Sequence, residues 1–254
     1  MLLRTILLYC SVIYPVACLE SMIWDGEFAA PNTFAHSCSL SVRCYSYTLG
    51  WFGWLCGASI LNQRILLTAG HCVYNCPKME LMVKVGNVNR NKARAIGVER
   101  HKLHEGYDDV AILNDIALVF IESNIRLGKT AKRVVLLRRP PLSPAYVAGW
   151  GVANGHLPHE VELRYSKQIV LNKAKCDLMI PGRPKGTICA KSPEQHRGYV
   201  LEGDSGSALV VDNYIQIGIA SYKKGSLYSY TIYTYVPDFI DWIQNKSQML
   251  FCTK

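Results

Sequence analysis

From about Trp51 onward the chain runs in short segments rich in Ile, Val, Tyr and Leu, each closed by Gly, Asn or Pro. Ala58-Ser59-Ile60-Leu61, Ile65-Leu66-Leu67-Thr68 and Leu81-Met82-Val83-Lys84-Val85 are typical. Such runs are shorter than an ordinary helix and match half-buried or buried strands, and their regular recurrence predicts an all-β barrel or sandwich. Two strand-rich halves flank a basic, Pro-containing stretch from Asn124 through Lys129, Lys132 and Arg133 to Arg138-Arg139-Pro140-Pro141. The chain therefore reads as two β-barrel subdomains joined by a connector. Only the tail departs from this pattern. Phe239, Ile240 and Ile243 stand at helical spacing, with Pro237 and Asp238 suited to a helix start, which predicts a C-terminal helix docked on a barrel.

The 254 residues suffice for one or two domains with a sizeable core. Half are hydrophobic and 19% charged, with 19 Gly and 11 Pro, which excludes a disordered or collagen-like chain. The net charge of +9 is spread along the sequence and by itself names no partner. Met1-Leu2-Leu3-Arg4 followed by the apolar run from Ile6 to Val16 reads as a secretory signal. It is shorter than the roughly 20 residues a membrane span needs. Cleavage after Cys18 gives a signal of residues 1–18, with cleavage after Ser21 nearly as acceptable. The expected product is soluble and secreted, without a membrane span.

Cys10 and Cys18 leave with the signal, so the mature chain keeps Cys38, Cys44, Cys56, Cys72, Cys76, Cys176, Cys189 and Cys252. An even count in an oxidising compartment implies disulfides. No metal site is expected, because the close pairs Cys38/Cys44 and Cys72/Cys76 lack a histidine ligand pattern beyond His71. His101/His104 and His156/His159 read as surface histidines. His156-Leu157-Pro158-His159-Glu160 lacks the zinc-protease order, and Pro158 would break the helix that motif requires.

Three segments carry chemistry together: Leu67-Thr68-Ala69-Gly70-His71-Cys72, Asn114-Asp115-Ile116-Ala117-Leu118 and Gly203-Asp204-Ser205-Gly206-Ser207. Each alone is a common turn or structural sequence, but their conjunction supplies a His, an Asp and a Ser in that order, 44 and then 90 residues apart. A serine hydroxyl is a weak nucleophile until a base takes its proton, and that base needs a fixed tautomer.

With these motifs the chain resembles the trypsin/chymotrypsin-like secreted serine proteases, from Ile23 to the C-terminal helix. Cys56-Gly57-Ala58-Ser59-Ile60, Val147-Ala148-Gly149-Trp150-Gly151 and the Cys176/Cys189 pair add to the likeness. The resemblance implies a chymotrypsin-like fold of two six-stranded antiparallel barrels with a C-terminal helix. A pro-segment of residues 19–22 precedes a protease domain of residues 23–254, with barrels at about 23–123 and 144–254 and a linker at about 124–143. It implies disulfides Cys56–Cys72 and Cys176–Cys189. The other four cysteines allow three pairings, of which Cys44–Cys76 is favoured because their loops should be neighbours. Ser205 would be nucleophile, His71 general base and then acid, and Asp115 the group orienting the imidazole. Gly203 and Ser205 would offer N–H groups to an oxyanion. Substrates would be proteins or peptides and protease inhibitors would be partners, with no cofactor, no nucleic acid and a monomeric state.

Several positions depart from the family pattern. The activating cleavage would free Ile23 to pair with Asp204, yet Met22 stands where Arg or Lys is usual, and Trp24 and Asp25 replace small residues. In the specificity pocket, Tyr199 occupies the position of the acidic residue that selects Lys or Arg. Leu201 replaces a cysteine, Ser221-Tyr222-Lys223 replaces Ser-Trp-Gly, and Thr231 replaces a wall glycine. Tyr199 and Thr231 are expected to narrow the pocket. Lys223 and Lys224 either favour acidic substrate neighbours or are solvated charges. The loop Gly86–Arg94 has no acidic residue for calcium. Basic clusters such as Arg90/Lys92/Arg94 offer weak binding to anionic glycans, with a soluble basic face favoured, and Asn245-Lys246-Ser247 is a glycosylation sequon. The favoured reading is a serine endopeptidase, unselective for Lys or Arg, cutting after apolar or small residues. The alternative is a zymogen-like or catalytically weak homologue that acts by binding.

Overall fold

The computed structural model describes residues 26–76, 78–153, 156–159, 161–194, 197–223 and 229–252. The signal, Met22, Ile23, Trp24, Asp25 and Lys224 lie outside them.

A two-residue strand, β1 (Glu27–Phe28), precedes six strands: β2 (Ser37–Ser46), β3 (Gly50–Ile60), β4 (Ile65–Thr68), β5 (Lys78–Val85), β6 (Arg94–Leu103) and β7 (Ala117–Ile121). These six close into a barrel in the order β2-β3-β4-β7-β6-β5, all neighbours antiparallel. Its two faces contribute Leu40, Ile60, Ile65, Leu67, Leu118 and Ile121 to one core cluster, each fully buried. Each such side chain contributes about 1.5–3 kcal/mol of burial, which makes the barrel a stiff support for its loops.

The second half contributes β8 (Ala145–Gly149), a small hairpin of β9 (Val152–Ala153) and β10 (His156–His159), then β11 (Arg164–Val170), β12 (Thr187–Lys191), β13 (Ala208–Val211), β14 (Ile215–Lys223) and β15 (Tyr230–Tyr235). Strands β8, β11, β12, β15, β14 and β13 form a second ring, closed by pairing of β8 with both β11 and β13. Val147, Leu209, Ile217 and Tyr233 fill it. The strand β1 pairs with β11, so the first residues of the described chain lie on the second barrel. Between β7 and β8, residues 122–144 form no strand and touch the second barrel through a Val135/Ile215 bridge.

Among the described residues two α-helices are present where the sequence pattern predicts one. The first, α1 (Lys173–Met179), begins where the Asn172 side chain accepts the Lys175 N–H at 2.9 Å. It buries only Cys176, so it carries no apolar stripe for periodicity to reveal. The second is α2 (Ile240–Cys252), entered through a 3-10 turn, Val236–Phe239, with Pro237 in its first turn. Val236, Phe239 and Ile243 join the core of the first barrel, so the tail straps the second half of the chain to the first.

Disulfides join Cys56 to Cys72, Cys176 to Cys189, and Cys44 to Cys76. Cys38 is a buried free thiol, so the even cysteine count does not translate into complete pairing among the described residues. The Cys252 side chain lies outside them. No helix among the described residues is long and apolar enough to cross a membrane.

Candidate active site

The seam between the barrels is lined by Phe34, Leu55, Ala148, Trp150, Leu163 and Val210, and crossed by a 2.7 Å hydrogen bond from Ser59 to Gln216. Into this seam the chain brings residues from four separate segments. His71 sits on a single 3-10 turn, Gly70–Val73, directly after β4. Asp115 lies just ahead of β7, beyond Asn114 at φ +50°, a left-handed conformation that asparagine tolerates well. The Asn114 amide donates to the Gly106 carbonyl at 2.7 Å and fixes that turn.

Asp115 is 1% exposed and fully engaged. Its Oδ1 accepts the His71 backbone N–H at 2.8 Å, and its Oδ2 lies 2.9 Å from His71 Nδ1. The Ser221 hydroxyl donates to the same Oδ2, and Thr234 Oγ1 donates to the Asp115 backbone carbonyl at 2.8 Å. One turn of the first barrel and one strand of the second thus fix the carboxylate, and a second strand of that barrel fixes the Asp115 backbone. Burial pushes this carboxyl up, but hydrogen bonds and charge from His71, with the bond from Ser221, outweigh it and hold Asp115 below its ordinary value. The carboxylate is therefore ionised at neutral pH and holds His71 Nδ1 as the protonated nitrogen, leaving Nε2 as the basic one.

His71 is about one-third exposed and backs onto the Cys56–Cys72 disulfide, with Nε2 3.8 Å from Cys72 Sγ. These sulfurs are spent in a bond to each other and offer no thiolate to a metal. The same Cys72 sulfur lies 3.7 Å from the Ser205 carbonyl oxygen, so the disulfide touches both the imidazole and the loop that carries Ser205. Ser205 Oγ and His71 Nε2 form no hydrogen bond in this geometry.

Ser205 stands in the tight loop before β13. Its carbonyl accepts the Gly57 N–H at 2.6 Å, and the Gly206 N–H donates to Ala220 at 2.8 Å, tying the loop to both barrels. Gly57 can have no side chain, since a Cβ there would lie 2.8 Å from the backbone of Ser207. Gly203 has φ +90°, a conformation open to glycine and strained for other residues. Asp204, Gly206 and Ser207 donate their N–H groups to backbone carbonyls, whereas those of Gly203 and Ser205 find no partner among the described residues.

Asp204 is completely buried. Its oxygens accept the N–H groups of Gly151 at 2.8 Å and Leu201 at 3.0 Å. Burial raises its carboxyl to about 6, against those two bonds and the charge of Lys223.

Beside Ser205 opens a cavity of about 190 Å³. Ser221, Tyr222, Lys223 and Thr231, expected in the pocket from the sequence, all line it, together with Val200, Leu201, Glu202 and Ala220. Tyr199 does not line it; its ring lies 5.4 Å from Lys223 Nζ instead. Lys223 is no solvated charge, because its ammonium is buried. No local signal marks Thr234, one threonine in an alternating strand, or the Ser221 bond to Asp115. Both depend on how β14 and β15 pair.

A family model described as Trypsin matches residues 23–243. Among curated proteins, the chain is 28% identical over 240 residues to a chymotrypsin of Phaedon cochleariae, covering 89% of this chain and 82% of that one. It is 31% identical over 205 residues to chymotrypsin-2 of Vespa crabro, covering 76% and 89%. Among solved structures it superposes on HL collagenase with a TM-score of 0.76 at 23% identity, over 88% of this chain and 97% of the other, a likeness of fold. A chymotrypsin-like pair of barrels and a match along most of the chain make this protein a member of the trypsin family of serine endopeptidases.

Proposed function

We propose that the protein is a secreted endopeptidase whose peptide-bond hydrolysis runs through Ser205, His71 and Asp115. The observation that carries this reading is the twofold grip of the buried Asp115 carboxylate on His71, across the seam from Ser205. Ser205 Oγ attacks the scissile carbonyl as His71 Nε2 takes its proton. The imidazolium is stabilised by Asp115 and then protonates the leaving amine. The unpartnered N–H groups of Gly203 and Ser205 suit the developing oxyanion, a role worth about 10²–10³ in turnover per donor. The proposal requires the Ser205 to His71 hydrogen bond to form when substrate binds, as catalytic hydrogen bonds that are long without substrate commonly do.

The pocket reading supports a protease that does not select Lys or Arg, since Lys223 lies within it and would repel a basic side chain. Val200, Leu201 and Ala220 fit the expected apolar or small preference, but the buried ammonium does not follow from it. The N-terminal part of the proposal is a signal of residues 1–18, a pro-segment of 19–22, and a domain of 23–254 in which the freed Ile23 amine pairs with Asp204.

Replacement of Ser205 by Ala, with a serine-directed phosphonate applied to the unchanged protein, is the test. Loss of hydrolysis in the variant and labelling of Ser205 are expected. Hydrolysis that survives Ser205→Ala would overturn the assignment.

A further inference from the structure

Lys223 ends β14 one register step beyond Tyr222 and pairs with Thr231 of β15, and all three side chains line the cavity beside Ser205. Its ammonium has almost no solvent contact and makes no hydrogen bond among the described residues. Three N–H donors are thus present with no acceptor among the described residues, on a residue that lines the cavity beside Ser205. An unpaired buried cation is among the costliest arrangements a fold can hold. Burial lowers this amine to about 8, against the opposing charge of Asp204, so it remains mostly protonated at neutral pH.

Two neighbours offer partial compensation. The Tyr199 ring faces the ammonium at 5.4 Å, a cation–π contact that leaves the N–H donors unfilled. Asp204 acts on it at longer range, but the Asp204 oxygens are already given to the Gly151 and Leu201 N–H groups. An acceptor for Lys223 would have to come through the cavity beside Ser205. A substrate carboxylate entering there would make charge-assisted hydrogen bonds in a dry setting, whereas an apolar side chain would leave the ammonium unpaired and a basic one would meet like charge. Glu202, exposed at the rim, opposes an incoming anion only weakly because solvent screens it.

From this geometry we infer that the protein cuts after acidic residues, with the Asp or Glu side chain on the acyl side of the scissile bond held by Lys223. The inference rests on the proposal that Ser205 is the nucleophile, and narrows its substrate class.

The experiment compares kcat/KM for internally quenched peptides of one sequence that differ only in the residue before the cut: Glu, Asp, Ala, Leu or Lys. Glu or Asp peptides should exceed Ala and Leu peptides by about 10- to 100-fold, the worth of a hydrogen bond to a charged group. In Lys223→Gln, with folding checked by thermal melting, that ratio should collapse, and in Glu202→Gln it should rise about two- to threefold. A wild-type preference for Ala or Leu, or an acidic preference that survives Lys223→Gln, would overturn the inference. If no peptide is cut, phosphonate labelling tests Ser205 separately, and equilibrium binding of acetylated peptides ending in Glu or Leu tests the pocket. Tighter binding of the Leu peptide, or binding of the Glu peptide unaffected by Lys223→Gln, refutes Lys223 as the anion partner whether or not Ser205 is labelled.

Discussion

Asp204 should make the uncut chain less stable as pH rises, the reverse of the usual behaviour of a carboxylate. In the folded protein it keeps its proton up to about 6, while the unfolded chain releases it near 3.8. Between these values the folded state binds more protons, so stability falls through the window and the loss is complete above about pH 6. At about 1.4 kcal/mol per pH unit the amplitude is about 3 kcal/mol. Other groups titrate nearby with the opposite sign. Burial lowers His36 to about 4, which adds stability as pH rises from about 4 to 6.5. The quantity to measure is therefore the difference between the protein and its Asp204→Asn variant, both carrying Ser205→Ala to prevent self-cleavage. Urea unfolding of each at pH 3.5 to 7.5 gives the profile. The amide turns its nitrogen toward one of the two N–H donors and loses one hydrogen bond, a cost of about 1–3 kcal/mol that does not vary with pH. The advantage of Asp over Asn should shrink by about 2 kcal/mol between pH 4 and pH 6.5, the part of the full amplitude that falls inside that interval. In chain cut before Ile23, the arriving ammonium favours the ionised carboxylate and the slope should reverse. A flat or rising difference profile in the uncut chain would refute the burial argument.

Two further substitutions probe the site. Ser221→Ala removes a hydrogen bond to the ionised Asp115, so kcat should fall about tenfold and the acid limb of the pH–rate profile should move upward, as measured by steady-state hydrolysis between pH 5 and 8. Gly57→Ala forces a Cβ to 2.1 Å from the Ser207 hydroxyl and 2.8 Å from its backbone, so the loop holding Ser205 must shift. A cost of about 1–3 kcal/mol, read by thermal melting, and loss of phosphonate labelling at Ser205 are expected.

Much of the architecture was legible because its signals are local. Ile65–Thr68 and Leu81–Val85 are apolar runs of strand length, and each falls within a strand of the first barrel. The helix at Phe239, Ile240 and Ile243 was visible because it turns an apolar stripe onto that barrel. Helix α1 escaped notice because its stability comes from the Asn172 cap and a disulfide rather than from a buried face. The free thiol of Cys38 escaped notice as well, since a cysteine count carries no distances.

Sequence by itself determined which side chains could do chemistry: a histidine, an aspartate and a serine in one order, with a glycine where the loop needs positive φ. Only the tertiary structure decided that Asp115 and His71 bond to each other and which groups surround them. Asp115 draws on Ser221 and Thr234 of the opposite barrel, partners that no spacing along the chain could name. Lys223 is the sharpest case. The register of β14 against β15 shifts between Ala220 and Tyr222, and a one-residue slip in a strand exchanges the faces of every side chain beyond it. That shift, invisible in Ser221-Tyr222-Lys223, helps set the face on which Lys223 stands, and there its ammonium is buried beside Tyr199 rather than in water.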